Sequence, residues 1–132
     1  MRKKPPLVRD CMTHLPIEAE RCETVADATR LMRANGVHHL PIMNGSRLTG
    51  ILSERDILTA RVRWGDAADT KPLEEICQHD VRIASPTTPI DEIITDMLAG
   101  QIGCIVIVDG GFVVGMFTTT DALRLLADLF SR

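Results

Sequence analysis

The chain has 132 residues, 45% of them apolar and 25% charged, with a net charge of −3. That balance fits one compact domain, or two small ones sharing a core, and excludes a disordered tail or a fibre. With no basic run beyond Arg2-Lys3-Lys4, no apolar run near the ~20 residues that span a bilayer, and no apolar signal-peptide core, neither nucleic acid nor membrane is an expected partner, and a cytoplasmic location is expected.

A short strand is expected near residues 17–19. Thr24 then opens a helix whose apolar positions Val25, Ala28, Leu31 and Met32 share one face, and Asn35-Gly36 closes it with a left-handed cap. Residues 37–43 form a strand in which Pro41 demands an edge or an unused donor position. Asn44-Gly45 signals a hairpin, residues 47–52 return as its partner, and Ser53 caps a helix running to about Val62. Residues 63–72 read as a linker.

The same order then recurs. A short strand is expected near 81–84, and Thr88-Pro89 begins a helix with the stripe Ile90, Ile93, Ile94 and Met97, ended by Gly100. Residues 102–108 make a strand with almost no polar side chain, Asp109-Gly110-Gly111 turns the chain, and 112–117 returns. Thr118 caps a last helix to about Phe130. Sliding the sequence by 65 places residues 8–58 on 73–123 without a gap, with identities that include His14/His79, Met32/Met97, Gly50/Gly115 and Asp56/Asp121. The organisation is therefore β-α-β-β-α, twice, with repeats at 7–62 and 73–130. This is an α/β (α+β) fold. Two such three-stranded sheets, each with helices on one face, can cover each other sheet to sheet about a pseudo-twofold, leaving clefts suited to small ligands.

The motif that carries chemistry is Gly50-Ile-Leu-Ser53-Glu-Arg55-Asp56 and its copy Gly115-Met-Phe-Thr118-Thr-Thr120-Asp121. A hydroxyl and an aspartate three residues on lie at a helix N-terminus, where amides and the helix dipole favour negative charge. An ionised carboxylate there can accept hydrogen bonds from two neighbouring hydroxyls, as in a ribose diol. The plainer alternative is a capping box, although such boxes favour the longer Glu or Gln and Asp is expected to reach back poorly. Cys11, Cys22, Cys77 and Cys104 form no C-x-x-C pair and read as small buried apolar residues. His14 and His79, repeat equivalents, lack the acid or thiol partners of a metal site. No nucleophile stands beside a base and no phosphate-binding loop occurs, so no catalytic residue is expected.

Each repeat resembles a CBS domain, and the tandem resembles a CBS pair, or Bateman module. The resemblance rests on 8–12, 23–28, 36–42 and 50–57 in the first copy and 73–77, 88–92, 102–108 and 115–122 in the second, which departs from the pattern with Gln101 at the place of Gly36 and Val106 at that of Pro41. It implies a regulatory module for adenosine-containing ligands: AMP, ADP, ATP, S-adenosylmethionine or NAD(H). The ligand is regulatory, and no cofactor is required. It implies ribose contacts from Ser53 and Asp56 at one site and Thr118 and Asp121 at the other, with Arg55 and Thr120 facing phosphates. Val37-His38-His39 and Ile102-Gly103-Cys104 would line the clefts, and adenine would lie near Ile17 and Val81. With no effector domain in the chain, output would pass to a partner protein in trans. The last helix is apolar over more than one face, which predicts an exposed patch and a homodimer through the helical faces, as the family commonly forms. The alternative function is a structural dimerisation module whose motifs are only caps.

Overall fold

The computed structural model describes residues 4–14 and 17–131. Arg2 and Lys3 of the basic run lie outside them. In chain order the strands are β1 (Thr13–His14), β2 (Ala19–Glu20), β3 (His39–Asn44), β4 (Arg47–Ser53), β5 (Ile83–Ala84), β6 (Cys104–Asp109) and β7 (Phe112–Thr118). The helices are α1 (Val25–Asn35), α2 (Glu54–Trp64), the single turn α3 (Leu73–Ile76), α4 (Ile90–Gly100) and α5 (Thr119–Phe130). The expected β-α-β-β-α order is present twice, as β2-α1-β3-β4-α2 and β5-α4-β6-β7-α5. Among the described residues no helix is long and apolar enough to cross a membrane.

The chain forms two compact units whose boundaries differ from those of the sequence repeats. One is residues 17–81; the other joins the described residues of 1–16 to those of 82–132. Each unit thus contains one β-α-β-β-α core together with the segment that opens the other repeat. The first has the sheet β2-β3-β4; the second has four strands, β1-β7-β6-β5, rather than the expected three, because β1 pairs antiparallel with β7. Val8 and Leu73, repeat equivalents at the heads of these segments, are fully buried in the core opposite to their own repeat in sequence. Burying such side chains contributes about 1.5–3 kcal/mol each and fixes where the segments run.

The local elements follow from ordinary chemistry. Thr24 caps α1, and Gly36 ends it at φ +62°. In the second copy Pro89 is the N-cap rather than the first helical residue, and Gly100 is the last helical residue rather than the stop. The left-handed position falls on Gln101, at φ 52°, where a side chain costs about 1–2 kcal/mol that Gly36 avoids. Pro41 sits in the middle strand of its sheet opposite Ile51, whose backbone N–H and C=O both bond Gln78 at 2.9 Å. That pairing leaves no bond to β4 for a Pro41 amide to make, and β2 pairs with β3 only from Ile42 onward. Both hairpins bulge at the same place, Ile42/Met43 and Ile107/Val108. The expected linker is more ordered than its composition suggests. Helix α2 runs on to Trp64, Gly65–Thr70 forms a 3-10 turn, and Arg63 and Lys71 lie 4.8 and 4.9 Å from the Trp64 ring. Cys77 is buried and Cys11 and Cys104 partly so. Cys22 is exposed because it falls in the turn between β2 and α1, against the expectation of burial.

Candidate functional site

Ser53 and Thr118 are the N-caps of α2 and α5, and the aspartate three residues on closes a complete capping box in both. The Ser53 amide donates to Asp56 Oδ2 at 2.9 Å, and the Asp56 amide donates to Ser53 Oγ at 3.2 Å. The Thr118 pair repeats this at 2.9 and 3.2 Å. Aspartate therefore reaches back well, contrary to expectation. A third box, Thr24 and Asp27 on α1, makes the same bonds. There the Thr24 amide and then its hydroxyl, helped by Arg30, hold the Asp27 carboxyl below its usual range. The box alone is thus a cap.

The glycine before the two later boxes sets them apart. A Cβ on Gly50 would lie 2.7 Å from Cys77 Sγ and 3.0 Å from the Gln78 carbonyl; one on Gly115 would lie 2.6 Å from Met12 Sδ and 2.8 Å from the Thr13 carbonyl. Glycine lets a second chain segment cross the strand at this point, and that segment places a side chain on each carboxylate. Gln78 Nε2 donates to Asp56 Oδ1 at 3.0 Å, and Thr13 Oγ1 donates to Asp121 Oδ1 at 3.0 Å. Thr13 and Gln78 are repeat equivalents that sequence reasoning missed. The signal available was the repeated glycine, which marks a close approach without naming what approaches.

The other predicted residues divide. The carbonyls of His38 and Gly103 accept the first helical amides, Glu54 and Thr119, each at 3.1 Å. Beside them in the ladders His39 faces Ser53 and Cys104 faces Thr118. His38 Nδ1 lies 3.0 Å from Glu54 Oε1, and Arg55 and Thr120 are exposed. Arg55 lines a groove of about 500 Å³ between α1 and α2 that also holds Arg33, Arg61 and Leu58. Ile17, Val37 and Ile102 are only partly buried and pack against the cores. Ile17 and Val81, the two positions expected beside adenine, both belong to the unit of residues 17–81.

Each carboxylate has thiols in its field. Burial and then Asp56 push the Cys77 thiol up, and burial and then Asp121 push Cys104 up to about 12. Cys11 is raised by burial, Asp10 and Asp121. These thiols stay protonated at neutral pH. His79 Nε2 lies 2.9 Å from the Glu74 carbonyl. Among the described residues no three His, Cys, Asp or Glu side chains converge as metal ligands.

Comparisons with known proteins agree with this geometry. The chain is 31% identical over 121 residues to L-aspartate semialdehyde sulfurtransferase of Methanocaldococcus jannaschii, covering 90% of this chain but only 23% of that enzyme. It superposes on the crystal structure of the Vibrio cholerae protein assigned to acetoin utilization (AcuB) with a TM-score of 0.84 and 32% identity, covering 96% of this chain and 94% of that one. It also superposes on the CBS domain pair of protein MJ0100, solved with 5′-methylthioadenosine and S-adenosyl-L-methionine, with a TM-score of 0.83 and 29% identity over 94% and 98% of the two chains. The family model for the CBS domain matches residues 8–63 and again 73–128. This chain therefore belongs to the CBS domain family, with two domains in tandem.

Proposed function

We propose that the chain is a regulatory module that binds an adenosine-containing ligand at its capped helices and passes occupancy to a partner protein. The observation that carries this is the likeness, over nearly the whole of both chains, to a CBS pair solved with two adenosyl compounds. In this reading the ribose hydroxyls donate to Asp56 beside Ser53, phosphates meet Arg55 and the His38-His39 turn, and adenine lies by Ile17. The second set has Thr118 and Asp121 at the ribose position, Thr120 in place of Arg55, and Ile102, Gly103 and Cys104 around it, so that any ligand it takes is the less anionic one. No residue is assigned a catalytic role, and the ligand is an effector rather than a cofactor.

The same reading includes a homodimer in the cytoplasm. Helix α5 fully buries only Asp121 among its residues, and Leu123, Leu126, Leu129 and Phe130 are exposed, as are Leu58 and Val62 on α2. A run of apolar side chains in water marks an interface. Sedimentation at micromolar concentration should show a dimer that Leu126→Glu dissociates.

The test of ligand binding is a melting panel with AMP, ATP, NADH, S-adenosylmethionine and 5′-methylthioadenosine. A compound at about 100 times its Kd adds about 2.7 kcal/mol, and Asp56→Ala should abolish that shift. A flat panel with an intact dimer would favour a structural dimerisation module, a reading supported by boxes that are complete as caps.

A further inference from the structure

We propose that Thr13 and Gln78 decide which carboxylate a ligand can reach: Thr13 latches Asp121 shut, while Gln78 leaves Asp56 available, so that the chain takes one adenosyl ligand. This rests on the ligand-binding reading above.

A carboxylate offers about four lone-pair positions. Asp121 Oδ2 accepts from the Thr118 amide at 2.9 Å and its hydroxyl at 3.1 Å, and Oδ1 accepts from Thr13 Oγ1 at 3.0 Å and Arg124 Nη1 at 3.2 Å. The side chain is 3% exposed, so its acceptor positions are taken by the protein. Asp56, in contrast, is only half-buried, and its two oxygens accept from the Ser53 amide at 2.9 Å and from Gln78 Nε2 at 3.0 Å.

The two donors also differ in how they can leave. The Thr13 hydroxyl hangs on a single χ angle from a residue held in β1, opposite Met116. One rotation there puts the methyl group against the same carboxylate, and a β-branched side chain in a strand has few χ1 wells left, so clearing Asp121 is costly. The Gln78 amide stands on three rotatable bonds and its residue is exposed, while its backbone stays tied to Ile51. It can swing aside and return without disturbing the sheet. The incoming diol then replaces one weakly held donor at Asp56, whereas at Asp121 it must displace a set.

The experiment is calorimetric titration of the full chain with 5′-methylthioadenosine and, separately, AMP. The wild type should take one equivalent, and Asp56→Ala should lose it. Thr13→Ala should admit a second equivalent, and Thr13→Val serves if the alanine variant does not fold. Gln78→Thr, which gives the first site the donor of the second, should weaken binding at least tenfold. Two equivalents in the wild type, or one that survives Asp56→Ala, would overturn the latch and leave the ligand-binding reading standing. No heat from either compound with the wild type or either Thr13 variant would overturn both.

Discussion

Asp56 and Asp121 stand at the same place in two copies of one sequence, each three residues beyond a hydroxyl cap and six beyond a glycine. Their own motifs give them the same reciprocal pair of amide bonds, to which Asp121 adds the Thr118 hydroxyl and Arg124. They differ further in the neighbour brought by the crossing segment: an exposed, flexible amide on Asp56, and a short hydroxyl anchored in a strand on Asp121. Asp27 has the same box, and its carboxylate accepts from Thr24 and Arg30 without a donor such as Thr13 or Gln78. The lesson is that a repeated motif specifies a cap, and a residue elsewhere in the chain decides whether the cap is open to a ligand.

The harshest way to break the comparison is to fill the glycines. Gly115→Ala drives a Cβ to 2.8 Å from a backbone carbonyl, which only a shift of β1 can relieve, whereas the nearest atom to a Gly50 Cβ is a thiol sulfur and the carbonyl is at 3.0 Å. Overpacking of this kind costs about 1–3 kcal/mol, and Gly115→Ala should lie at the upper end and Gly50→Ala below it by urea unfolding. The reverse order would show that the crossing at β7 is the looser one.

Removing the carboxylates comes next. Asp121→Ala strands the buried Thr118 donors and the partly buried Thr13 hydroxyl and should cost about 2–3 kcal/mol, against about 1 kcal/mol for Asp56→Ala, an ordinary cap loss. Equal losses in chemical denaturation would mean that the two sites are energetically alike.

The thiols sharpen the contrast at high pH. A thiol held near 12 in the fold and about 8.5 when unfolded contributes stability that is complete below pH ~8.5 and is lost as the pH rises toward 12. Denaturation midpoints should therefore decline from about pH 8.5 upward, and Cys104→Ala should reduce that decline, the remainder belonging to Cys77 and Cys11. Iodoacetamide at pH 8 should modify exposed Cys22 well before Cys104; simultaneous reaction would contradict the closed second site.

The smallest effect belongs to the exposed cap. Asp27 is held below its usual range, so its contribution is present above about pH 3.9 and is lost as the pH falls through its lowered value. An NMR titration should find Asp27 more acidic than the same residue in the urea-unfolded chain, and Thr24→Ala, which removes the hydroxyl but keeps the amide, should reduce the difference without erasing it.

Much of this was legible in the sequence. The offset of 65, the paired motifs at Ser53–Asp56 and Thr118–Asp121, and the apolar face of α5 all survive in the structure because they are local or periodic. The crossing segments were not legible. Strands of two residues such as Thr13–His14 carry no alternation to read, and the pairing of Gln78 with Ile51 is nonlocal. The stop of α4 was misplaced by one residue because Gln101 accepts a left-handed conformation that sequence rules reserve for glycine. The expectation that aspartate is too short for a capping box failed because the N-cap backbone turns its amide toward the third residue, within 3.0 Å in all three boxes.

The exchange of segments also bears on how such a chain could have arisen. A single ancestral repeat would begin with a segment that suits the sheet of another copy and would lack the one that completes its own. Two separate polypeptides could satisfy each other only by trading these arms, as swapped dimers do. Fusing the copies made the trade intramolecular and raised the effective concentration of each arm at its acceptor. It also made the halves inseparable, because a fragment ending at Trp64 and one beginning at Gly65 would each hold the arm the other needs. Those fragments should stay largely unstructured apart and regain the fold when mixed.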